Sequence, residues 1–198
     1  KERLTPEAAE KVRCIDLKEY GFTKDDWGAV YPIGSYCTAH KYTDGKTGVN
    51  LEVFSGGKRM KIARYPNDGY LKIDAVMDVG DCWEFPSSNY FWDWPERGDH
   101  RGGIYIVDDD TAERISGWKD PSTAWIFGYF MHDWADASTP LLKIETKNRL
   151  IYPKYVAYYG CKKGADYYFY NVLEELDAPG EYFIGDDAIL YYYPGENF

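Results

Sequence analysis

Apolar and polar residues alternate with a period of two along most of the chain, the spacing that sends successive side chains to opposite faces of a strand. In "VNLEVFSGGKRMKIARY", Val49, Leu51 and Val53 share one face, Gly56 and Gly57 supply a tight turn, and Met60 and Ile62 resume the alternation. That stretch predicts a hairpin. "GYLKIDAV" repeats the pattern through Leu71, Ile73 and Ala75. "AWIFGYFM", Ala124 to Met131, is apolar on both faces and predicts a central, buried strand. "LLKIE", "KYVAYY" and "DYYFYNV" follow as short strands, and "EYFI" and "ILYYY" flank Gly185-Asp186-Asp187-Ala188 as a second hairpin. Many short strands with regular turns imply an all-β fold, a mainly antiparallel β-sandwich or barrel. Helical signals are confined to the N-terminus. Thr5 can cap, Pro6 suits the first helical position and Glu7 the positive end of the dipole, so "TPEAAEKVR" predicts one short helix. "DLKEYGF" adds a further turn closed by Gly21.

One stretch has no period. From Trp83 to Gly103, "WEFPSSNYFWDWPERGDHRGG" mixes prolines, glycines and three tryptophans, and it reads as a long, functional loop. No repeat or low-complexity linker divides the 198 residues, which predict a single β-rich domain spanning 1–198. The chain begins at Lys1 without an initiator Met or a signal peptide, so it is expected to be a processed protein or a domain excised from a larger one.

Charge narrows the partners. The net charge of −10 repels phosphate backbones and anionic lipid, which argues against nucleic acid and membrane surfaces and leaves neutral glycans open. No apolar run approaches the ~20 residues that a membrane helix needs. Cys14, Cys37, Cys82 and Cys161 are too widely spaced for a zinc cluster and read as packed thiols, with one disulfide as the alternative. "VDDDT" and Asp186-Asp187 lack the alternating ligands of a calcium loop, so turn and cap roles are expected and no metal. Neither a Gly-rich dinucleotide turn nor a Walker loop occurs, which predicts no nucleotide cofactor, and no cofactor is expected at all. The three histidines, His40, His100 and His132, come with no nucleophile elbow.

Two constellations carry candidate chemistry. The first is acidic. Glu174 and Asp177 stand three apart, and on a helix their Cβ atoms would be roughly 5–6 Å apart. That overlaps the ~5–5.5 Å carboxyl spacing of retaining glycosidases. "MHDWAD" adds Asp133 and Asp136 directly after the buried strand. Against a catalytic pair, Pro179-Gly180 suits a type II turn, and acids at an element end beside such a turn are ordinary scaffold. The second constellation is aromatic. Sugar rings present C–H faces that pack on flat indoles, and Trp92, Trp94, Trp118 and Trp134 all adjoin loops or polar residues. These four are the candidate glycan platforms, weighed against the ordinary role of large aromatics as core filling.

"RMKIARYPNDGYLKI", "WIFGYFMHDWAD" and "YYFYNVLEELDAPGEYFIGDDAILYYYP" resemble the N-terminal part of bacterial right-handed parallel β-helix proteins that act on polysaccharides, including glycoside-hydrolase-like members. The resemblance implies a β-barrel or sandwich inserted ahead of a solenoid, with catalytic acids on the solenoid. It also implies a bacterial, secreted or cell-surface setting. No stacked rungs occur in the chain. The expectation is therefore a non-catalytic module that binds a glycan or polysaccharide, or shapes the substrate cleft of an adjoining β-helix domain. Asn171, Glu174, Glu175, Asp177, Pro179 and Gly180 would then be scaffold. A small glycoside hydrolase or lyase using Asp133, Asp136, Glu174 or Asp177 is the alternative, and a purely structural packing domain a third reading.

Overall fold

Thr5 is extended and its hydroxyl accepts from the Ala8 amide at 3.2 Å, while Pro6 opens helix α1, Pro6–Lys11. The computed structural model describes residues 2–23, 52–82, 101–185 and 187–195, so Trp92, Trp94, Val49, Leu51, Cys37, His40, His100 and Asp186 lie outside the described residues. The helix ends at Lys11, short of the predicted Arg13, because Val12 is extended and Arg13 already pairs with Tyr192. Arg13 starts strand β1, Arg13–Asp16, and Leu17–Tyr20 forms the further turn, closed by Gly21 at φ 79°.

Strands β2 (Phe54–Ser55) and β3 (Lys58–Arg59) make the predicted hairpin on Gly56 and Gly57, both at positive φ. The remaining strands are β4 (Lys61–Ile62), β5 (Arg64–Tyr65), β6 (Leu71–Lys72), β7 (Ala75–Asp78) and β8 (Ile104–Ile106). Then come β9 (Trp125–Tyr129), β10 (Ala137–Glu145), β11 (Leu150–Pro153), β12 (Asp166–Tyr170), β13 (Glu181–Ile184) and β14 (Ile189–Tyr192). They build one sheet in the order β1-β14-β13-β4 and a larger one in the order β5-β12-β9-β10-β11-β8-β7, with β6 also on β12. Pairing is antiparallel except between β13 and β4. The fold is thus all-β with short helices, in open sheets rather than a closed barrel.

Two runs that read as single strands each serve two partners. Only Ala63 separates β4 from β5, yet these belong to different sheets. The Ala63 amide donates to Tyr182 O at 2.8 Å and its carbonyl accepts from Asn171 N at 2.9 Å, so one fully buried alanine joins the sheets. "GYLKIDAV" likewise divides into β6 and β7, because Ile73 N donates to Ala165 O and Asp74 N to Ile106 O.

The cap role expected of the "VDDDT" acids is met, whereas the confinement of helices to the N-terminus and the "KYVAYY" strand are corrected. "VDDDT" opens helix α2, Asp109–Ser116, which the alternation does not reveal. Asp108 caps it by accepting from Thr111 N at 2.7 Å, with Asp109 and Asp110 in its first turn, so these acids serve a helix start. "KYVAYY" is no strand. Its pairing between described residues is a bridge from Tyr155 to Arg101, and the chain turns at Ala157, where Gly160 N donates to Ala157 O at 2.8 Å with Gly160 at φ 83°.

The main core lies on one face of the larger sheet, where Ile126, Phe130, Tyr167 and Phe169 pack beneath Ala112 and Ile115 of α2. Trp125, Phe127 and Tyr170 form a second cluster on the opposite face, which is why β9 carries no polar side. Gly128 sits at a close approach of β9 to β12. A Cβ there would lie 2.4 Å from Asp166 O and 3.0 Å from Tyr167 Cβ. Gly128→Ala is expected to destabilise the fold by about 1–3 kcal/mol, since backbone must move to admit a methyl. Urea unfolding checks this, and an unchanged midpoint would mean that the β9–β12 spacing is slack.

Candidate functional site

The acids of "NVLEELDAPG" do not share a helix face. Leu173–Glu175 is a single 3₁₀ turn, and its carboxylates diverge to different cations. Glu174 takes a two-pronged contact from Arg3, with Nε at 2.9 Å from Oε1 and Nη2 at 2.8 Å from Oε2, and its Oε1 also accepts from Lys119 N at 2.9 Å. Asp177 accepts from Arg114 Nη2 at 2.7 Å and from Asn67 Nδ2 at 2.9 Å. The Glu174–Asp177 pair of the alternative, catalytic reading does not share a helix face, and both acids make the structural contacts expected of scaffold. Each acid is held by its own arginine, which ties the turn to α2 and to the N-terminal segment.

Two carboxyls outside the candidate catalytic set are the more deeply placed, Glu175, which the resemblance implied to be scaffold, and Glu181, which sequence reasoning passed over. Glu175 is 1% exposed; Arg114 Nη2 reaches its Oε2 at 2.6 Å and Trp118 Nε1 donates to its Oε1 at 2.5 Å. Glu181, on β13, is buried too, and its Oε2 accepts from Ala178 N at 3.2 Å. Burial pushes the Glu181 carboxyl up to about 8; the Ala178 amide pulls the other way and the charge of Asp177 adds to the rise. The one local hint for Glu175 was its place between Leu173 and Leu176, both buried. Its partners lie 61 and 57 residues away, beyond any local pattern.

Trp118 departs from the expected platform. It is 8% exposed, meets Phe169 edge-on at 5.2 Å, and spends its indole N–H on Glu175. Its rings fill the core and its polar edge satisfies a buried charge.

Trp134 is placed differently. At 58% exposed it stands in the turn between β9 and β10, fixed by Ala135 N donating to His132 O at 3.0 Å. His132 lies parallel to it, with ring centroids 5.3 Å apart and planes 7° from parallel. Tyr159 meets both edge-on, at 5.3 Å from Trp134 and 5.0 Å from His132, and Tyr158 adjoins Tyr159 at 4.8 Å. Because "KYVAYY" leaves the sheet, Tyr158 and Tyr159 are free to turn toward this cluster. Behind it is a dent of about 10 Å³, lined in part by Met131, Ala135 and Tyr158, with room for no more than one water. The flanks are polar. Asp133 is fully out in solvent with Lys162 Nζ at 3.7 Å, and Asp136 is half-buried beside the same turn. A rigid, exposed aromatic face bordered by carboxylates and an ammonium suits a ligand with one apolar and one hydroxyl-bearing side.

Among the described residues no three His, Cys, Asp or Glu side chains converge as metal ligands. Among the described residues Cys14, Cys82 and Cys161 are in no disulfide, and burial raises the Cys161 thiol well above its ordinary range.

No protein-family model matches the chain, and no curated protein matches it. A solved structure named "Glycoside hydrolase" is similar in backbone course, with a TM-score of 0.48 and 18% identity. The likeness takes in 74% of this chain and 24% of that one, so the chain spans about a quarter of that protein's length.

Proposed function

We propose that this chain is a non-catalytic carbohydrate-binding module whose ligand packs on Trp134. The observation that carries the reading is the exposed indole, braced by His132 and Tyr159 and edged by Asp133 and Lys162. A sugar ring laid on that face buries its C–H groups, and its hydroxyls reach the flanking charges. The bracing matters because a ring held in place before binding loses little freedom when the ligand arrives. The acids suited to hydrolysis by spacing, Glu174 and Asp177, are committed to arginines. Within a larger polysaccharide-active protein such a module would hold the polymer against the cleft of its neighbour.

Trp134→Ala is expected to weaken glycan binding at least about tenfold, equivalent to ~1.4 kcal/mol, without a change in the unfolding midpoint. A glycan array followed by calorimetric titration of the wild type and the variant measures this. Equal affinities would remove the platform from contention. Asp133 and Asp136 flank the platform and are the acids of the hydrolase reading, so the same preparations are assayed for release of reducing ends. Turnover that vanishes in Asp133→Asn would replace the binding reading with a catalytic one.

A further inference from the structure

The aromatic surface does not stop at Trp134. On the face of the larger sheet opposite the main core, β9 presents Trp125, Phe127 and Tyr129, and β12 presents Tyr168 and Tyr170 in register with the first two. The row is buried at the Trp125–Tyr170 end and emerges at the other. There Tyr129 and Tyr168 are half-buried, and Tyr70, on the connection from β5 to β6, is 45% exposed. Tyr70 meets Tyr129 edge-on at 6.0 Å and Tyr168 at 5.9 Å, and the Arg64 guanidinium lies 3.7 Å above the Tyr168 ring. Arg64 is itself anchored, donating from Nε to Pro66 O at 2.7 Å and from Nη2 to Gly69 O at 2.5 Å, so the loop that carries Tyr70 is pinned in place.

This emerging end leads directly into the Trp134 turn. Tyr129 is the last residue of β9, and three residues of chain, at most about 11 Å, carry it to His132. Asp136, from the same turn as Trp134, is near enough to raise the Tyr129 phenol, after the larger effects of burial and of Tyr70. Two aromatic groups, Tyr159–Trp134–His132 and Tyr129–Tyr70–Tyr168, therefore stand at the same end of β9, linked by that short stretch of chain. Tyrosine hydroxyls along the second group offer hydrogen-bond partners beside apolar ring faces, the same dual character as the first.

We infer that the two groups form one elongated binding strip, which takes an internal stretch of an uncharged polysaccharide rather than a single terminal sugar. This rests on the Trp134 reading and deepens it. A lone indole serves one ring, whereas a line of aromatics continuing onto the sheet gives successive rings of a polymer something to lie on. Charge selects among polymers. The overall net charge of −10 repels uronate and sulfate chains, while at the strip itself Asp133 and Asp136 are offset by Lys162 and Arg64.

The test is a chain-length series on the whole chain. Glucan, xylan, mannan and galactan oligosaccharides from single sugars to hexasaccharides, with polygalacturonate fragments as the charged arm, are titrated against wild type, Tyr70→Ala and Trp134→Ala. The expected result is affinity that rises about tenfold or more from single sugars to hexasaccharides of an uncharged series. Tyr70→Ala abolishes that rise but keeps binding of the shortest ligands, and Trp134→Ala loses binding at every length. Affinity already complete with a mono- or disaccharide, or a length dependence untouched by Tyr70→Ala, overturns the strip and leaves the Trp134 site standing. Preference for the uronate fragments overturns the choice of an uncharged ligand. Failure of wild type to bind any member overturns both the strip and the module reading. Circular dichroism of Tyr70→Ala confirms that a lost rise is not lost folding.

Discussion

Replacing Arg114 with leucine is expected to lower the unfolding free energy by about 3 kcal/mol, the low end of the ~3–5 kcal/mol that removing one partner of a buried ion pair costs. The low end applies because Arg114 is itself 38% exposed, whereas the Glu175 it neutralises is almost wholly enclosed. Without the guanidinium, Glu175 keeps the Trp118 indole as its donor among the described residues and is left a charge in an apolar surround. Asp177 loses its cation at the same time. For a chain of this size the change corresponds to a fall in midpoint of roughly 6–12 °C. Thermal and urea unfolding measure it. The diagnostic arm is the double variant Arg114→Leu with Glu175→Gln. If the stranded charge is the cause, the amide recovers a large part of the loss, while a loss under ~1 kcal/mol in the single variant would show that the pair is solvated in practice.

The second large effect is a dependence on pH set by Glu181. Its folded carboxyl titrates at about 8, against the ordinary 4.5 of an exposed glutamate, because burial penalises the charge. Between those values the folded protein holds a proton that the unfolded chain releases, so stability must fall as pH rises through that window. The contribution is whole below about pH 4.5 and lost as pH passes 8. The slope approaches about 1.4 kcal/mol per pH unit at most, and the sum is on the order of 5 kcal/mol. Glu181→Gln keeps the shape and the acceptor for Ala178 N without the titration. It is expected to match wild type near pH 5, exceed it at pH 8, and flatten the profile between. Parallel profiles for the two proteins across pH 5–8 would contradict the burial argument.

Both effects arise from carboxyls outside the candidate catalytic acids, Glu175 having been expected only as scaffold and Glu181 not considered, and the contrast with the acids singled out is instructive. Glu174, Asp177, Asp133 and Asp136 stand in polar, turn-rich stretches, where acids draw notice. Glu175 shares the stretch of Glu174 and Asp177, and Glu181 directly follows Pro179-Gly180, so what sets these two apart is burial, which local sequence does not carry. Likewise Trp118 and Trp134 look alike in sequence, each beside a loop. One is enclosed under α2 and the other stands in solvent, a difference made by which elements pack over them.

The sequence by itself determined the N-cap at Thr5, the glycine turn between β2 and β3, the doubly apolar β9 and the dominance of short antiparallel strands. These follow from steric and hydrogen-bonding preferences that act within a few residues, so a local pattern suffices to read them. Only the tertiary structure decided that Ala63 joins two sheets, that "KYVAYY" leaves the sheet to flank Trp134, and that the arginines at 3 and 114 claim the acids of the 173–177 turn. Those outcomes depend on burial and on charge pairs between residues as much as 171 positions apart, and such energies exist only once the chain has closed on itself.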